Sequence, residues 1–353
     1  MTPLAACYDR KRRADFFFRE ATDMPVVTRA ALWLLGAVCL ALSGADRLPA
    51  QERPLLVDVS ISSLSFVQAP YVAARDKGYL RQEGLEPRFI YLNSGVASKA
   101  LVSHGIDFNT LGSPTINAAI AGMPIRSVFA NGSRTDMYLI AASDIRSLED
   151  LKGKKIATGG IGGLADVGAR RFLESKGIDT KDVTFLVMGT SGTRMAAVLS
   201  GAVSAAPLSP PHDYLAKKAG LKVLGYFGDA FPSYMGGIGI QLDALANRPA
   251  VVKGFVKAAL KGLRFVHARR AETIDIMMRH MKTQNREMVA AMYDSSVPSF
   301  TKDGMIGTEA QQAIIAIAAQ AIGRSEAIKP DTVFDFRVVR EANRELEAEG
   351  WRP

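Results

Sequence analysis

The sequence predicts an α/β protein of two similar lobes, each a mainly parallel sheet flanked by helices, joined by a hinge of two chain crossings. Three observations predict it. An internal repeat spans most of the chain, strand-type and helix-type segments alternate within each copy, and an apolar stretch bridges the copies. The repeat is visible on comparing FIYLNSGVASKALVSHGIDFNTLGSPTINAAIAG, from Phe89, with FLVMGTSGTRMAAVLSGAVSAAPLSPPHDYLAKKAG, from Phe185. Self-similarity of this length marks a duplicated structural unit.

Each copy follows one order. Leu55–Ile61 is a strand-type run, followed by a polar loop and a helical pattern over about Tyr71–Glu83. Its counterparts are Lys154–Thr158, the loop Gly159–Gly163 and the helix Ala165–Lys176. The strands opening at Phe89 and Phe185 run into Ser-Gly turns at Ser94-Gly95 and Ser191-Gly192. The helices that follow stop at Gly105 and Gly201. Second apolar runs end at Ser113-Pro114 and Ser209-Pro210. There Ser is expected to cap the next helix and Pro to open it, with stops at Gly122 and Gly220. Ile125–Ala130 and Leu221–Phe227 close the copies. Strand–helix alternation of this kind implies parallel strands covered on both faces.

Met137–Ala142 reads as a strand crossing between lobes, with the return crossing in Gly236–Leu242. Helices follow, one opened by Pro249 and a later one by Thr308, expected to pack on the first lobe. The expected organisation is an N-terminal extension over residues 1–50, lobe I over 51–136 and 241–353, and lobe II over 137–240. Two crossings form a hinge, and hinged lobes close on a ligand.

The formal net charge of +9 is dispersed; residues 51–353 hold 37 basic and 30 acidic side chains. No basic stripe interleaved with aromatics is present, so nucleic acid is not an expected partner. The two cysteines, Cys7 and Cys39, both lie in the first fifty residues. A chain processed after residue 50 has no thiol, which excludes a disulfide framework, a Cys-based metal site and a Cys nucleophile. The uncharged run Ala30–Leu42 follows Arg29 and precedes the small-x-small pattern Ser43-Gly-Ala45. It reads as a secretory signal cleaved after Ala45 or Ala50, since a membrane span needs roughly 18–20 apolar residues. Met24 is the expected true start.

In open parallel sheets, ligands bind beyond the carboxyl ends of the strands. In lobe I these ends carry Ser65, Phe66 and Gln68, then Asn93 and Ser94, then Ser113. In lobe II they carry Thr158, Gly159 and Gly162, then Thr190 and Ser191, then Ser209. Small polar residues at helix starts offer free amides to a negative group, so a carboxylate, sulfonate or similar oxyanion is the expected ligand. The competing reading for each is plain helix capping. Phe66, Tyr138 and Tyr234 are candidates for an apolar wall, with core packing as the alternative. Arg126, Arg134 and Arg194 could each meet an anion; Arg194 sits on a first helical turn near the cleft, where a solvated arginine is the ordinary state.

Two tempting motifs fall away. Gly160-Ile-Gly162-Gly-Leu-Ala165 fits the dinucleotide fingerprint, but the next strand ends Leu186-Val-Met188 without the required carboxylate. No cofactor is therefore expected. The four histidines show no metal-ligand spacing. His212-Asp213 follows Ser209, but no G-x-S-x-G elbow surrounds that serine.

SFVQAPYVAARDKGYLRQEGLEP at Ser65–Pro87, SLEDLKGKKIATGG at Ser147–Gly160, and the spacing of the repeats resemble the substrate-binding proteins of ABC importers in the nitrate/sulfonate/taurine-type group. The resemblance covers about Leu55 to the carboxyl terminus. It implies a type II periplasmic-binding-protein-like fold, a periplasmic monomer, a small-molecule ligand and an inner-membrane ABC permease with its ATPase as partner. It also implies ligand contacts from the twelve residues named above. A related pyrimidine-synthesising enzyme depends on a cysteine-rich motif and iron, which residues 51–353 lack. A ligand-sensing partner of a membrane receptor is a further alternative that the sequence does not separate from import.

Overall fold

The structure, a computed structural model, describes residues 53–61, 65–92, 94–161 and 163–353; of Ser94 and Gly95 only the backbone is described. The expected export signal lies outside the described residues.

The first copy of the repeat folds as β1 (Leu55–Ile61), a 3-10 turn (Phe66–Gln68), α1 (Ala69–Asp76), α2 (Tyr79–Gln82), β2 (Leu85–Tyr91), α3 (Ser94–Val102), β3 (Phe108–Leu111), α4 (Gly112–Ile120) and β4 (Ile125–Ala130). After β5 (Tyr138–Ala141), the second copy gives β6 (Lys155–Thr158), α5 (Leu164–Ser175), β7 (Thr184–Val187), α6 (Ser191–Leu199), β8 (Ala205–Leu208), α7 (His212–Lys218) and β9 (Lys222–Tyr226). Then come β10 (Gly236–Gln241) and six helices: α8 (Ala244–Asn247), α9 (Pro249–Ala268), α10 (Arg270–His280), α11 (Arg286–Ser296), α12 (Thr308–Ala321) and α13 (Arg337–Ala348).

Two five-stranded sheets result, ordered β2-β1-β3-β10-β4 and β7-β6-β8-β5-β9. In the first, β2, β1 and β3 pair in parallel, and β10 runs antiparallel between β3 and β4. In the second, β7, β6 and β8 pair in parallel, and β5 runs antiparallel between β8 and β9. The two orders are the same once the repeats are superposed. The expected mainly parallel, helix-flanked sheets are therefore present in both lobes. The segment expected to hold the return crossing is a central strand of the first sheet, and the expected border between residues 240 and 241 falls inside it.

Local chemistry sets the helix ends. The single helix expected over Tyr71–Glu83 is two, because Gly78 takes a left-handed φ of 73° between them. Gly122, Gly201 and Gly220 end their helices in the left-handed conformation, as the stop signals require. At Gly105 the preceding His104 takes that conformation instead, with φ 57°. The Ser-Pro pairs do not cap. α4 starts at Gly112, before Ser113, and α7 starts at His212, after both Pro210 and Pro211. Gly112 packs against the 234–236 backbone so closely that a Cβ would lie 2.6 Å from the Tyr234 carbonyl oxygen. At Ser209, two successive prolines delay the helix.

Lobe I holds the larger core. α9 lies against α1 and α13, with Phe255 stacked on Phe108 at 3.9 Å between ring centres. Trp351 meets Tyr79 edge-on at 5.5 Å, so the tail packs on this lobe. Lobe II buries Leu139, Ile156, Phe172 and Phe227 on one side of its sheet and Ile140, Val198, Ala206 and Leu208 on the other. Where α9 crosses α1, a Cβ at Gly262 would collide with the Pro70 carbonyl oxygen. Gly262→Ala is expected to destabilise the protein by roughly 2 kcal/mol or more, because overpacking against backbone outweighs the helix-propensity gain of about 1 kcal/mol. Urea unfolding of the two proteins measures this.

Candidate functional site

The carboxyl ends of β1, β2, β3, β6, β7 and β8 carry the predicted loops. In lobe I, Ser65 caps the 3-10 turn, its hydroxyl accepting the Val67 N–H at 3.4 Å. Phe66 is within the core and meets Tyr293 edge-on at 5.7 Å, so its ring serves packing. Gln68 is fully buried; its Oε1 accepts from the Thr110 hydroxyl at 3.0 Å, while its Nε2 has no partner among the described residues. The Ser113 hydroxyl donates to the Tyr234 carbonyl at 3.2 Å. Asn93, Gly162 and the side chain of Ser94 lie outside the described residues.

In lobe II the predicted residues converge. Thr158 is buried, and its hydroxyl reaches the Gly159 carbonyl at 3.4 Å and the Leu186 carbonyl at 3.5 Å. Thr190 caps α6, accepting the Thr193 N–H at 3.2 Å. The Ser191 hydroxyl accepts the Ser209 N–H at 3.5 Å and an N–H of Arg194 at 3.0 Å. Arg194 is the centre of this group. Its Nε donates to the Pro207 carbonyl at 2.9 Å, its Nη1 to the Gly189 carbonyl and its Nη2 to Ser191. A Cβ at Gly159 would lie 3.6 Å from Nη1. One guanidinium thus ties the ends of β7 and β8 and the start of α6, against the loop that follows β6.

The expected solvated arginine is a buried one, 4% exposed. A first-turn arginine is usually free to reach water; here the fork of five donors meets carbonyls exposed where strands end. Among the described residues, none of its partners is a carboxylate. Burial pushes the guanidinium below its ordinary value, yet an arginine stays charged. The loops are therefore backed by a full positive charge at a helix N-terminus, which favours a negative ligand. His212 sits beside this group, its Nε2 3.3 Å from where a Gly192 Cβ would stand, and burial lowers it below the usual histidine range. Ser209 and His212 are joined through the backbone, the Ser209 carbonyl accepting the His212 N–H at 2.9 Å.

Two further residues join the site without having been singled out by the sequence. Asn131, just past β4, donates from Nδ2 to the Val67 carbonyl at 2.6 Å and leaves a buried Oδ1 with no partner among the described residues. Ser233, in the return linker, has a buried hydroxyl with no partner among the described residues. The only sequence signal for either is its position in a linker between the repeats. Tyr234, a predicted wall residue, is buried and donates its hydroxyl to the Phe129 carbonyl at 2.8 Å. Tyr138 is half-buried and stands 5.0 Å from Tyr226.

Behind the hinge, α11 of lobe I touches lobe II. The Ser295 hydroxyl donates to Asp213 of lobe II at 2.9 Å, and the Ser296 hydroxyl donates to Asp136 of the first linker at 3.4 Å. Lys218 and Glu287 form an ion pair at 2.6 Å across the same seam.

Fold and site together define a class: two α/β lobes on a double linker, with polar strand-end loops on each. Solved structures share this fold. The periplasmic sulfonate-binding protein SsuA from Methylobacillus flagellatus KT is 20% identical with a TM-score of 0.69, covering 85% of this chain and 98% of that one. The periplasmic nitrate-binding protein NrtA from Synechocystis PCC 6803 is 16% identical with a TM-score of 0.61, covering 83% and 89%. Riboflavin-binding protein RibY from Chloroflexus aurantiacus is 28% identical over 239 residues, which is 65% of this chain and 67% of RibY. The chain belongs to the NMT1/THI5-like family, whose model matches residues 65–273. Among the described residues, no helix is long and apolar enough to cross a membrane, and no group of three or more His, Cys, Asp or Glu side chains could hold a metal ion.

Burial, and then the neighbouring Asp213, push the Asp136 carboxyl up to about 6. A carboxyl raised above its unfolded value holds its proton more tightly in the fold. Its contribution is present below about pH 4 and is lost as pH rises through 6. Unfolding free energy is expected to fall by on the order of 2 kcal/mol from this group between pH 4 and 7. Asp136→Asn should flatten that slope in urea titrations run at a series of pH values.

Proposed function

We propose that this chain is an exported substrate-binding receptor of an ABC importer. It closes two lobes on a small organic anion, sulfonate- or carboxylate-like, and delivers it to an inner-membrane permease. The observation that carries the reading is Arg194: a buried charge with no carboxylate partner among the described residues, holding the strand-end loops of lobe II together. Buried unpaired charge is costly, and an anion bound against these loops would offset it. Gln68 Nε2 and Asn131 Oδ1, buried without a partner among the described residues, mark polar positions at the strand ends of lobe I and the linker. Family membership and the receptor fold support the same reading. The proposed contacts are eleven of the twelve predicted loop residues, all but the core-packed Phe66, together with Asn131, with Arg194 fixing the lobe II loops.

The fold hosts more than one activity, so the site and not the architecture has to carry the assignment. Binding without turnover is the chemistry we assign to it.

Ligand-free protein is to be screened by thermal shift with sulfonates, carboxylates, nitrate, bicarbonate and pyrimidines; riboflavin joins the panel because of RibY. A ligand at about 100 times its dissociation constant is expected to add roughly 2.7 kcal/mol of stability. Arg194→Gln should weaken anion binding at least about tenfold, since charge-assisted contacts are worth about 1.5–3 kcal/mol. Arg194→Lys, which keeps the charge and loses the fork, should fall between the two. No shift with any compound, or turnover of one of them, would sink the receptor reading.

A further inference from the structure

At the α11 seam, two carboxyls are buried where the lobes meet. Asp213 lies in the first turn of α7 in lobe II and Asp136 in the first linker; they are 0% and 5% exposed. Consecutive serines of one lobe I helix, Ser295 and Ser296, each supply one of them with a hydroxyl donor. The Oδ1 of each carboxyl is buried with no partner among the described residues. Both serines stand in the last turn of α11, the negative end of the helix dipole, which disfavours a carboxylate.

The surroundings do not neutralise the pair. Lys217, on α7, stays 3.9 Å from Asp213, beyond hydrogen-bond reach, and lies over the Tyr138 ring. Arg134, in the same linker as Asp136, turns to Asp229 at 3.4 Å and to the Tyr226 ring. Asp294 and Glu287, the exposed acids of α11, pair with Arg270 and Lys218. Burial raises Tyr138 and Tyr226, so both keep their protons at neutral pH. It lowers His212, the residue before Asp213, below the usual histidine range. A second contact between the lobes uses no carboxyl: Arg171 of α5 donates to Gln320 of α12 at 3.0 Å, and Ile317 meets the lobe II core.

We propose that the Asp136–Asp213 pair is a proton-operated latch between the lobes. With a proton on Asp136, the seam buries one charge and α11 stays docked on lobe II. Without it, two like charges share a site sealed from water, which is costly. Separation of α11 from α7 wets both carboxyls and relieves that cost. The sign follows from the docked state. Asp136 is pushed up to about 6 there, by burial and then by Asp213. Docking is strongest below the ordinary carboxylate range and weakens as pH rises through about 6. Acid fastens the seam and neutral pH loosens it. The latch acts without a solute and is independent of the receptor reading above.

Single-molecule energy transfer reads the docked and separated populations. Dyes go on the exposed positions Lys99→Cys of lobe I and Glu174→Cys of lobe II, in full-length protein with Cys7 and Cys39 changed to Ser. The separated-to-docked ratio is expected to rise about tenfold from pH 5 to pH 8, levelling above about 6, as wetting returns Asp136 to the ordinary carboxylate range. Asp136→Asn, which keeps the shape without the charge, should abolish the rise and hold the seam docked at pH 8. Asp213→Asn, which removes the repelling charge, should make the rise smaller and level it at a lower pH. Should Asp136→Asn fail to fold, Ser296→Ala serves: it takes a donor from the charged carboxyl and should move the levelling to a higher pH. A ratio independent of pH, a rise that survives Asp136→Asn, or a levelling unmoved by Ser296→Ala overturns the latch and leaves the receptor reading standing.

Discussion

The architecture depends on one constraint: backbone groups in the middle of a sheet must be paired. β3 and β4 do not touch; β10 lies between them and pairs with both. β5 does the same for β8 and β9. Each of these strands is reached directly after a linker, so the pairing of two central strands also anchors that linker. Buried amides left without partners would cost about as much as lost hydrogen bonds. The two linkers are held at their ends by this requirement, and any hinge motion is left to the few residues between.

A second element depends on that arrangement. Parallel strands end together, and their last carbonyls face the same side of the lobe. Those carbonyls need donors. In lobe II, Arg194 provides them for Gly189 and Pro207, and the charge stays behind the loops that the sequence marks as ligand-binding. In the function proposed above, one side chain serves both stability and recognition. In lobe I no arginine plays this part among the described residues; side-chain amides and hydroxyls of Gln68, Thr110 and Asn131 occupy the corresponding ends.

Much of the fold was legible because it was written twice. Apolar runs, left-handed glycines and loop spacings coincide between the copies, so each supports the reading of the other. β10 was harder to see. Its sequence Gly-Gly-Ile-Gly-Ile-Gln is a poor strand by composition. The glycines are there because side chains from neighbours fill the space: a Cβ would strike Asn131 at Gly236, Tyr234 at Gly237 and Thr115 at Gly239. A packing constraint from distant residues leaves no periodic trace. The Ser-Pro helix starts were misplaced for a related reason, since close backbone approach at Gly112 and a second proline at 211 moved the first turns. Arg194 was visible as a residue but not as a buried one, because its acceptors come from strands whose ends meet only in three dimensions. α12 was legible as a helix starting at Thr308, but its contact with lobe II through Ile317 and Gln320 left no trace in the sequence.

The unequal placement of β5 and β10 has a consequence for the order in which the lobes are built. β5 to β9 are contiguous in the chain, so the second sheet can be completed as soon as residue 226 is available. The first sheet cannot: a gap remains between β3 and β4 until β10 arrives, by which time the whole of the second lobe has passed. Domains assemble as units when their residues appear. The lobe encoded second is thus the one able to finish first, and the lobe encoded first is completed only when β10 arrives.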